Sequence, residues 1–322
     1  MRWMIEDEDI LEDEPEDDEE PGVAGGFVLT AGDLDIFKLI YGYRLLRREH
    51  ISLLTKRPAK RLHRRLLKLV QNRYLTPIKL PQQKHIYALG KPALPVLIEQ
   101  GIGTEALLKE RSRVHELKEF FLRHEMMIVD LHVILALASP ASSLQLIAWS
   151  EGRELHDSVL ISTPRGAEKW PVRPDAFFTL EDGRRATGGN RAHFALEADR
   201  STANQKRFAD KIKAYHHYIA QGLHSQKYGI KSLRVVTVTL TEERAVNLAE
   251  QAAKILPEWS RKYFLFGSGK KCASVEVVAA GFHNPGQGNA TGGYVSVVSG
   301  SLNLRLLQHR VVPVHPRLVP VH

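Results

Sequence analysis

The stretch Pro58-Ala59-Lys60-Arg61-Leu62-His63-Arg64-Arg65-Leu66-Leu67-Lys68-Leu69-Val70 carries two opposed characters on one helical period. Pro58 suits the first turn of a helix, where its missing N–H is not needed. At about 100° per residue, Lys60, Arg61, Arg64, Arg65 and Lys68 fall within an arc of roughly 140°, and Leu62, Leu66, Leu67, Leu69 and Val70 fill the opposite arc. One arc is set to pack and the other to meet an anion. A basic helix in isolation is often only a solvated face, so its surroundings decide the reading.

Upstream, Leu34, Ile36, Phe37, Leu39, Ile40 and Tyr43 recur at helical spacing over Asp33–Arg44, with Asp33 as the expected cap. A second short helix fits Arg47–Thr55. Downstream, Tyr74–Leu80 and Lys84–Leu89 read as two short strands joined by Pro81-Gln82-Gln83. Three helices and a hairpin resemble a winged helix-turn-helix over residues 33–95, with the basic helix in the recognition position. Between Leu34 and Pro95, fifteen Lys and Arg stand against Asp35 and Glu49 alone. Lys56, Arg57, Lys60, Arg61, Arg64, Arg65, Lys68 and Lys84 are the expected DNA contacts. Side chains of this kind neutralise phosphates without reading bases, so double-stranded DNA is the expected partner and no preferred sequence is implied.

The 322 residues carry a net charge of +8 that hides two opposed blocks. Residues 6–20 hold twelve carboxylates and no base, whereas the 302 residues after position 20 hold 44 bases and 25 acids, a net of +19. Such a body attracts polyanions. The acidic run has too little apolar surface to form a core, so residues 1–32 are expected to be a disordered tail, either solubilising or competing with nucleic acid for the basic body. At 43% hydrophobic and 25% charged, the remainder has the composition of a folded protein.

Several classes are excluded. Cys272 stands alone, which rules out an internal disulfide and a cysteine-based zinc cluster. The densest apolar stretch, Met126–Ala138, is broken by Asp130 and His132 and is shorter than the ~20 residues of a membrane span. The N-terminus lacks the basic start and apolar run of a secretory signal, so a cytoplasmic location with no membrane contact is expected. No Gly-Lys-Ser/Thr phosphate loop is present, which excludes an ATP-driven motor of that type. Of the histidines, His216 and His217 diverge by about 100°, and with His193 they make no obvious metal site.

Residues 105–268 read as a second, α/β domain. A helical stretch over Glu105–Ala138 leads to strands at Leu144–Trp149, Val159–Ser162 and Pro174–Leu180. A polar loop at Glu181–Asn190 precedes a strand at His193–Asp199. Helix Asn204–Gln221, strand Leu233–Leu240, helix Glu242–Leu256 and strand Tyr263–Phe266 follow, an order that predicts a mixed central sheet. Residues 269–322, rich in Gly and Pro, read as a loose extension. Asp175, Glu197 and Asp199 lie near strand ends, and residues 197 and 199 share a face because strand side chains alternate. Three converging carboxylates would suit Mg2+, or Mn2+ in its place. Isolated acids at strand ends are also commonly caps or ion-pair partners.

Pro174-Asp175, then Glu197-Ala198-Asp199 on the next strand and a following helix, resemble the PD-(D/E)xK nuclease fold. Together with the winged helix, the chain resembles the replication-relaxation family of plasmids and other mobile elements. Arg173–Phe178, Phe194–Thr202 and Lys211–Tyr215 carry the likeness, which spans about residues 33–268. It implies a role in plasmid replication or DNA relaxation and a restriction-endonuclease-like second domain. The site it implies combines Asp175, Glu197 and Asp199 with Lys211 and Tyr215.

One departure matters: the nuclease pattern usually has Lys where Asp199 stands, so a positive charge must come from elsewhere to stabilise the reacting phosphate. Phe208, Ile212, Tyr215 and Ile219 mark a buried helical stripe. Lys211 lies at its edge, where the stem packs while the ammonium reaches the sheet end; Lys206 and Lys213 point away. Three readings stay open. The chain is a DNA-binding accessory protein working with other replication or mobilisation proteins, or a Mg2+-dependent endonuclease that nicks or cuts DNA at Asp175/Glu197, or a winged-helix transcriptional regulator.

Overall fold

The computed structural model describes residues 27–80, 85–104, 118–138, 144–164, 166–184, 190–200 and 205–269. The chain divides into two compact units between Val129 and Asp130. The acidic run, the hairpin loop with Lys84, residues 105–117 of the expected long helix, and residues 270–322 lie outside the described residues.

The first unit contains α1 (Ala31–Tyr43), β1 (Leu46–Arg47), α2 (Arg48–Thr55), α3 (Ala59–Gln71), β2 (Leu75–Ile78), β3 (Ile86–Leu89) and α4 (Ala93–Glu99). Its antiparallel sheet has the order β1-β3-β2, with Leu75 opposite Leu89 and Ile78 opposite Ile86. Ile36, Phe37 and Ile40 of α1, Ile51 of α2, and Leu62, Leu66 and Leu69 of α3 form the core with Ile86 and Leu97. Burying these apolar faces is what holds such short helices, which are marginal in isolation.

Helix α1 starts two residues before Asp33. Thr30 is the cap, and the Asp33 carboxylate accepts from the Thr30 backbone N–H at 2.7 Å and from its hydroxyl at 2.8 Å. Asp33 is thus the returning arm of a capping box rather than the cap itself. Leu67 also departs from expectation. It is 44% exposed, on the edge of the basic face, because three leucines one turn apart already fill the contact with the core. The corner between α3 and β2 needs Gly90: a Cβ there would sit 2.0 Å from the Arg73 carbonyl oxygen, and the Gly90 N–H donates to the Tyr74 carbonyl at 2.8 Å.

Helix α5 (Glu119–Ala138) carries the chain across the boundary. The second unit then comprises β4 (Leu144–Ser150), β5 (Asp157–Thr163), β6 (Gly166–Val172), β7 (Ala176–Asp182), β8 (Arg191–Asp199), α6 (Gln205–Ala220), α7 (Leu223–Tyr228), β9 (Leu233–Thr239), α8 (Glu242–Ile255), α9 (Glu258–Arg261) and β10 (Phe264–Ser268). Five strands form a mixed sheet of order β10-β9-β8-β7-β4. The β8/β9 and β9/β10 pairs are parallel, and the β7/β8 and β4/β7 pairs antiparallel. The expected mixed α/β architecture is present.

Strand β5 does not join that sheet. It pairs with β6 as a separate hairpin, a strand hidden in the sequence because Glu168, Lys169 and Pro171 interrupt its apolar alternation. Helix α6 buries Phe208, Ile212, Tyr215 and Ile219, the predicted stripe, against Val235, Leu248 and Phe264, and its Tyr218 hydroxyl donates to Asp157 of β5 at 2.8 Å. No helix among the described residues is long and apolar enough to cross a membrane.

Candidate functional site

In the second unit, strand directions bring the acidic residues to one end of the sheet. Ala176 is opposite Leu196 in the antiparallel β7/β8 pair, so Asp175 sits beside Glu197. Its N–H donates to the Leu196 carbonyl at 2.9 Å, and its carboxylate accepts from the Ala198 N–H at 2.8 Å. Glu197 is 3% exposed. Lys211 Nζ donates to its Oε2 at 2.5 Å and the Tyr215 hydroxyl donates to its Oε1 at 2.5 Å. These donors come from consecutive turns of α6, whose apolar stripe presses that face onto the sheet. The Lys211 side chain remains 49% exposed, its ammonium at the carboxylate and its stem along the helix edge.

The electrostatics follow from burial. Burial raises the Glu197 pKa; Lys211 opposes this, the nearby Asp175 charge adds to it, and the carboxyl is pushed up to about 7. For Lys211, burial acts to lower the pKa, but the Glu197 charge and hydrogen bond, followed by Asp175 and Asp199, leave it raised. Burial and then Glu197 push the Tyr215 hydroxyl well above its ordinary value, so Tyr215 remains a donor.

Asp199 shares a strand face with Glu197 but turns to another partner. Arg244 Nε and Nη2 both lie 3.0 Å from Asp199 Oδ2. Because β8 and β9 run parallel with Asp199 opposite Thr239, the helix that follows β9 begins at the same end of the sheet. Thr241 caps that helix, α8, accepting from the Arg244 N–H at 3.3 Å. Sequence reasoning missed Arg244, and its only local signal was the Thr-Glu-Glu-Arg helix start.

The expected three-carboxylate metal set is therefore altered: among the described residues, no group of three or more His, Cys, Asp or Glu side chains could hold a metal ion. Asp175 and Glu197 remain as a charge-coupled pair. One or two carboxylates completed by substrate phosphate suffice for Mg2+, so the pair fits such an ion. Both Glu197 oxygens already accept hydrogen bonds, so a cation there competes with the Lys211 ammonium.

The histidines have other partners. The His193 Nδ1 lies 3.0 Å from the Thr179 hydroxyl, and burial followed by the Arg191 charge pulls its pKa down. His216 Nδ1 lies 2.9 Å from the Ser260 hydroxyl.

In the first unit, the eight expected DNA-contact residues separate into groups. Lys56, Lys60, Arg61, Arg64 and Lys68 are exposed, with the last four along the α3 face opposite Leu62, Leu66 and Leu69. Arg65, on the same arc, instead forms an ion pair with buried Asp33 through Nε at 2.7 Å and through Nη2. Its Nη2 also donates to the Val28 carbonyl at 2.8 Å, and its guanidinium lies 4.7 Å from the Phe27 ring centroid. Burial alone would raise the Asp33 pKa, but its bonds to Arg65 and Thr30 bring it below the ordinary carboxylate value. Arg57 donates to the Gly32 carbonyl at 3.0 Å and faces Asp35 at 3.4 Å. Arg57 and Arg65 thus fasten the start of α1, and with Pro58, Arg61 and Leu62 they line an open groove of about 290 Å3. Lys84 lies outside the described residues.

A basic-faced helical unit followed by a mixed-sheet unit in which a buried Glu–Tyr pair meets a half-exposed lysine defines a two-unit α/β protein. The sequence profile of the replication-relaxation family matches residues 37–233, about three fifths of the chain, and the chain belongs to that family. The matched stretch includes α3, Asp175, Glu197, Lys211 and Tyr215 and ends before Arg244. No curated protein and no solved structure matches the chain.

Proposed function

We propose that this protein binds double-stranded DNA through its first unit, a winged helix-turn-helix with α3 as the recognition helix. Its role is in plasmid or mobile-element replication or relaxation, alongside other replication or mobilisation proteins. The carrying observation is the exposed row Lys60, Arg61, Arg64 and Lys68 backed by buried leucines. The order of three helices and an antiparallel hairpin supports this docking mode, in which Lys84 would follow the backbone. Phosphate contacts release counterions, so affinity falls steeply with salt. The test is duplex binding across salt concentrations by the wild type and by the triple variant Lys60→Ala/Arg61→Ala/Arg64→Ala. The variant is expected to bind more weakly, with the log–log salt slope reduced by about 3. Equal slopes would overturn the reading.

A second reading is favoured by the cluster at the sheet end: the second unit is a PD-(D/E)xK-type, Mg2+- or Mn2+-dependent endonuclease. Asp175 and Glu197 would hold the ion, which supplies Lewis acidity and water activation. Lys211 replaces the positive charge missing at position 199 and stabilises charge growing on the scissile phosphate. Tyr215 holds Glu197 in orientation, and Arg244 neutralises Asp199. Supercoiled plasmid incubated with either metal separates the readings. Nicking by wild type and not by Asp175→Ala or Glu197→Ala supports cleavage, and binding without any product favours the accessory role.

A further inference from the structure

We propose that the acidic segment Glu6–Glu20 docks on the exposed basic face of α3 within the same chain and occupies it until DNA displaces it. The inference rests on α3 being the DNA-binding face, and three observations carry it. The first is charge: twelve carboxylates without a base match a face that exposes Lys60, Arg61, Arg64 and Lys68, with Lys56 beside its start.

The second is where the acidic segment is tied down. Phe27 and Val28, the first described residues, are held by α3 itself. The Arg65 guanidinium stacks 4.7 Å from the Phe27 ring centroid and donates to the Val28 carbonyl at 2.8 Å. Glu20 is seven residues from Phe27, a span of at most about 25 Å. A linker of that length places the acidic segment at millimolar effective concentration around α3, with no partner molecule required.

The third is the division of labour among the arginines. Arg65 is committed to Asp33 and to the Val28 carbonyl, which fixes the incoming chain beside the exposed Lys60, Arg61, Arg64 and Lys68.

The arrangement makes the acidic segment a mimic of the phosphate backbone that must be released before duplex binds. The displacement lowers the affinity for every duplex by the same factor, so weakly held nonspecific DNA is the first to fall below saturation.

The test compares the full chain with a full-length variant in which the twelve carboxylates of residues 6–20 are replaced by Asn and Gln. Two readouts are needed. At about 50 mM salt the neutralised chain is expected to bind a 20-base-pair duplex about tenfold more tightly, with a steeper salt slope, and the gain is expected to vanish near 0.5 M as screening shortens to a few ångströms. Without DNA, an amine-reactive reagent is expected to label Lys60 and Lys68 several-fold more slowly in the native chain than in the neutralised one. Equal labelling overturns docking even if affinity rises, since that rise then reflects long-range repulsion alone. Protected lysines in a chain that binds no DNA in either form would leave docking standing and remove the DNA-binding reading instead.

Discussion

Lys211 reaches Glu197 across a strand-to-helix connection, its ammonium 2.5 Å from a carboxylate oxygen that is otherwise sealed from water. Removing the lysine leaves the carboxyl with the Tyr215 hydrogen bond and the repulsion of Asp175. Lys211→Met is therefore expected to raise the Glu197 pKa further, so its cost depends on pH. At pH 5, where Glu197 takes up a proton, the loss is small; at pH 8 it reaches about 1–3 kcal/mol, between the values for an exposed and a fully buried pair because the lysine is half-exposed. Urea unfolding at the two pH values measures the difference, and a pH-independent cost would contradict the assignment.

Glu197 itself sets a stability slope. Its carboxyl sits at about 7 in the folded chain against an ordinary 4.5, so the folded state holds a proton that the unfolded state has released. The stabilisation is complete below the unfolded value and is lost as pH rises through 7, an effect on the order of 3 kcal/mol. Glu197→Gln cannot titrate. Its unfolding free energy is expected to lack this decline, so that the variant gains on the wild type between pH 5 and 8.

The opposite sign holds for Asp33, whose folded pKa lies below the ordinary 3.8 through Arg65 and Thr30. Its contribution is present above 3.8 and disappears as pH falls through the folded value. Asp33→Ala leaves Arg65 without its partner and removes the reciprocal arm of the cap, at a cost of about 3 kcal/mol at pH 7. Thermal unfolding of wild type and variant is expected to converge in acid.

At Gly90 the obstacle is backbone, since an added methyl would lie 2.0 Å from the Arg73 carbonyl oxygen. Gly90→Ala must open the corner between α3 and β2, with an expected loss of about 2–4 kcal/mol. Limited proteolysis is expected to cut first near residues 72–76. Wild-type resistance in the variant would show that the corner tolerates the change.

Much of this was legible locally. The α3 and α6 stripes declared themselves through the 3.6-residue period, and the edge position of Lys211 distinguished it from Lys206 and Lys213 before any contact was known. The basic arc was less transparent. Arg64 and Arg65 are adjacent and chemically identical, and only the buried Asp33, thirty-two residues away in sequence, makes one a fastener and leaves the other exposed. Period two placed Asp199 on the Glu197 face correctly, yet its partner Arg244 depends on the parallel register of β8 and β9, a non-local property with no periodic signature. Strands β1 and β6 escaped for simpler reasons, the first being two residues long and the second having five of its seven residues exposed.

That parallel register also joins distant stretches of the chain. Glu197 is opposite Thr237, so the flank of β8 that β7 leaves open is covered by a strand that arrives only after α6 and α7 in sequence. The weak acidity of one carboxyl in β8 is therefore a reporter of β9: any change that loosens the β8/β9 pairing lets water reach Glu197 and returns its pKa toward the ordinary carboxylate value.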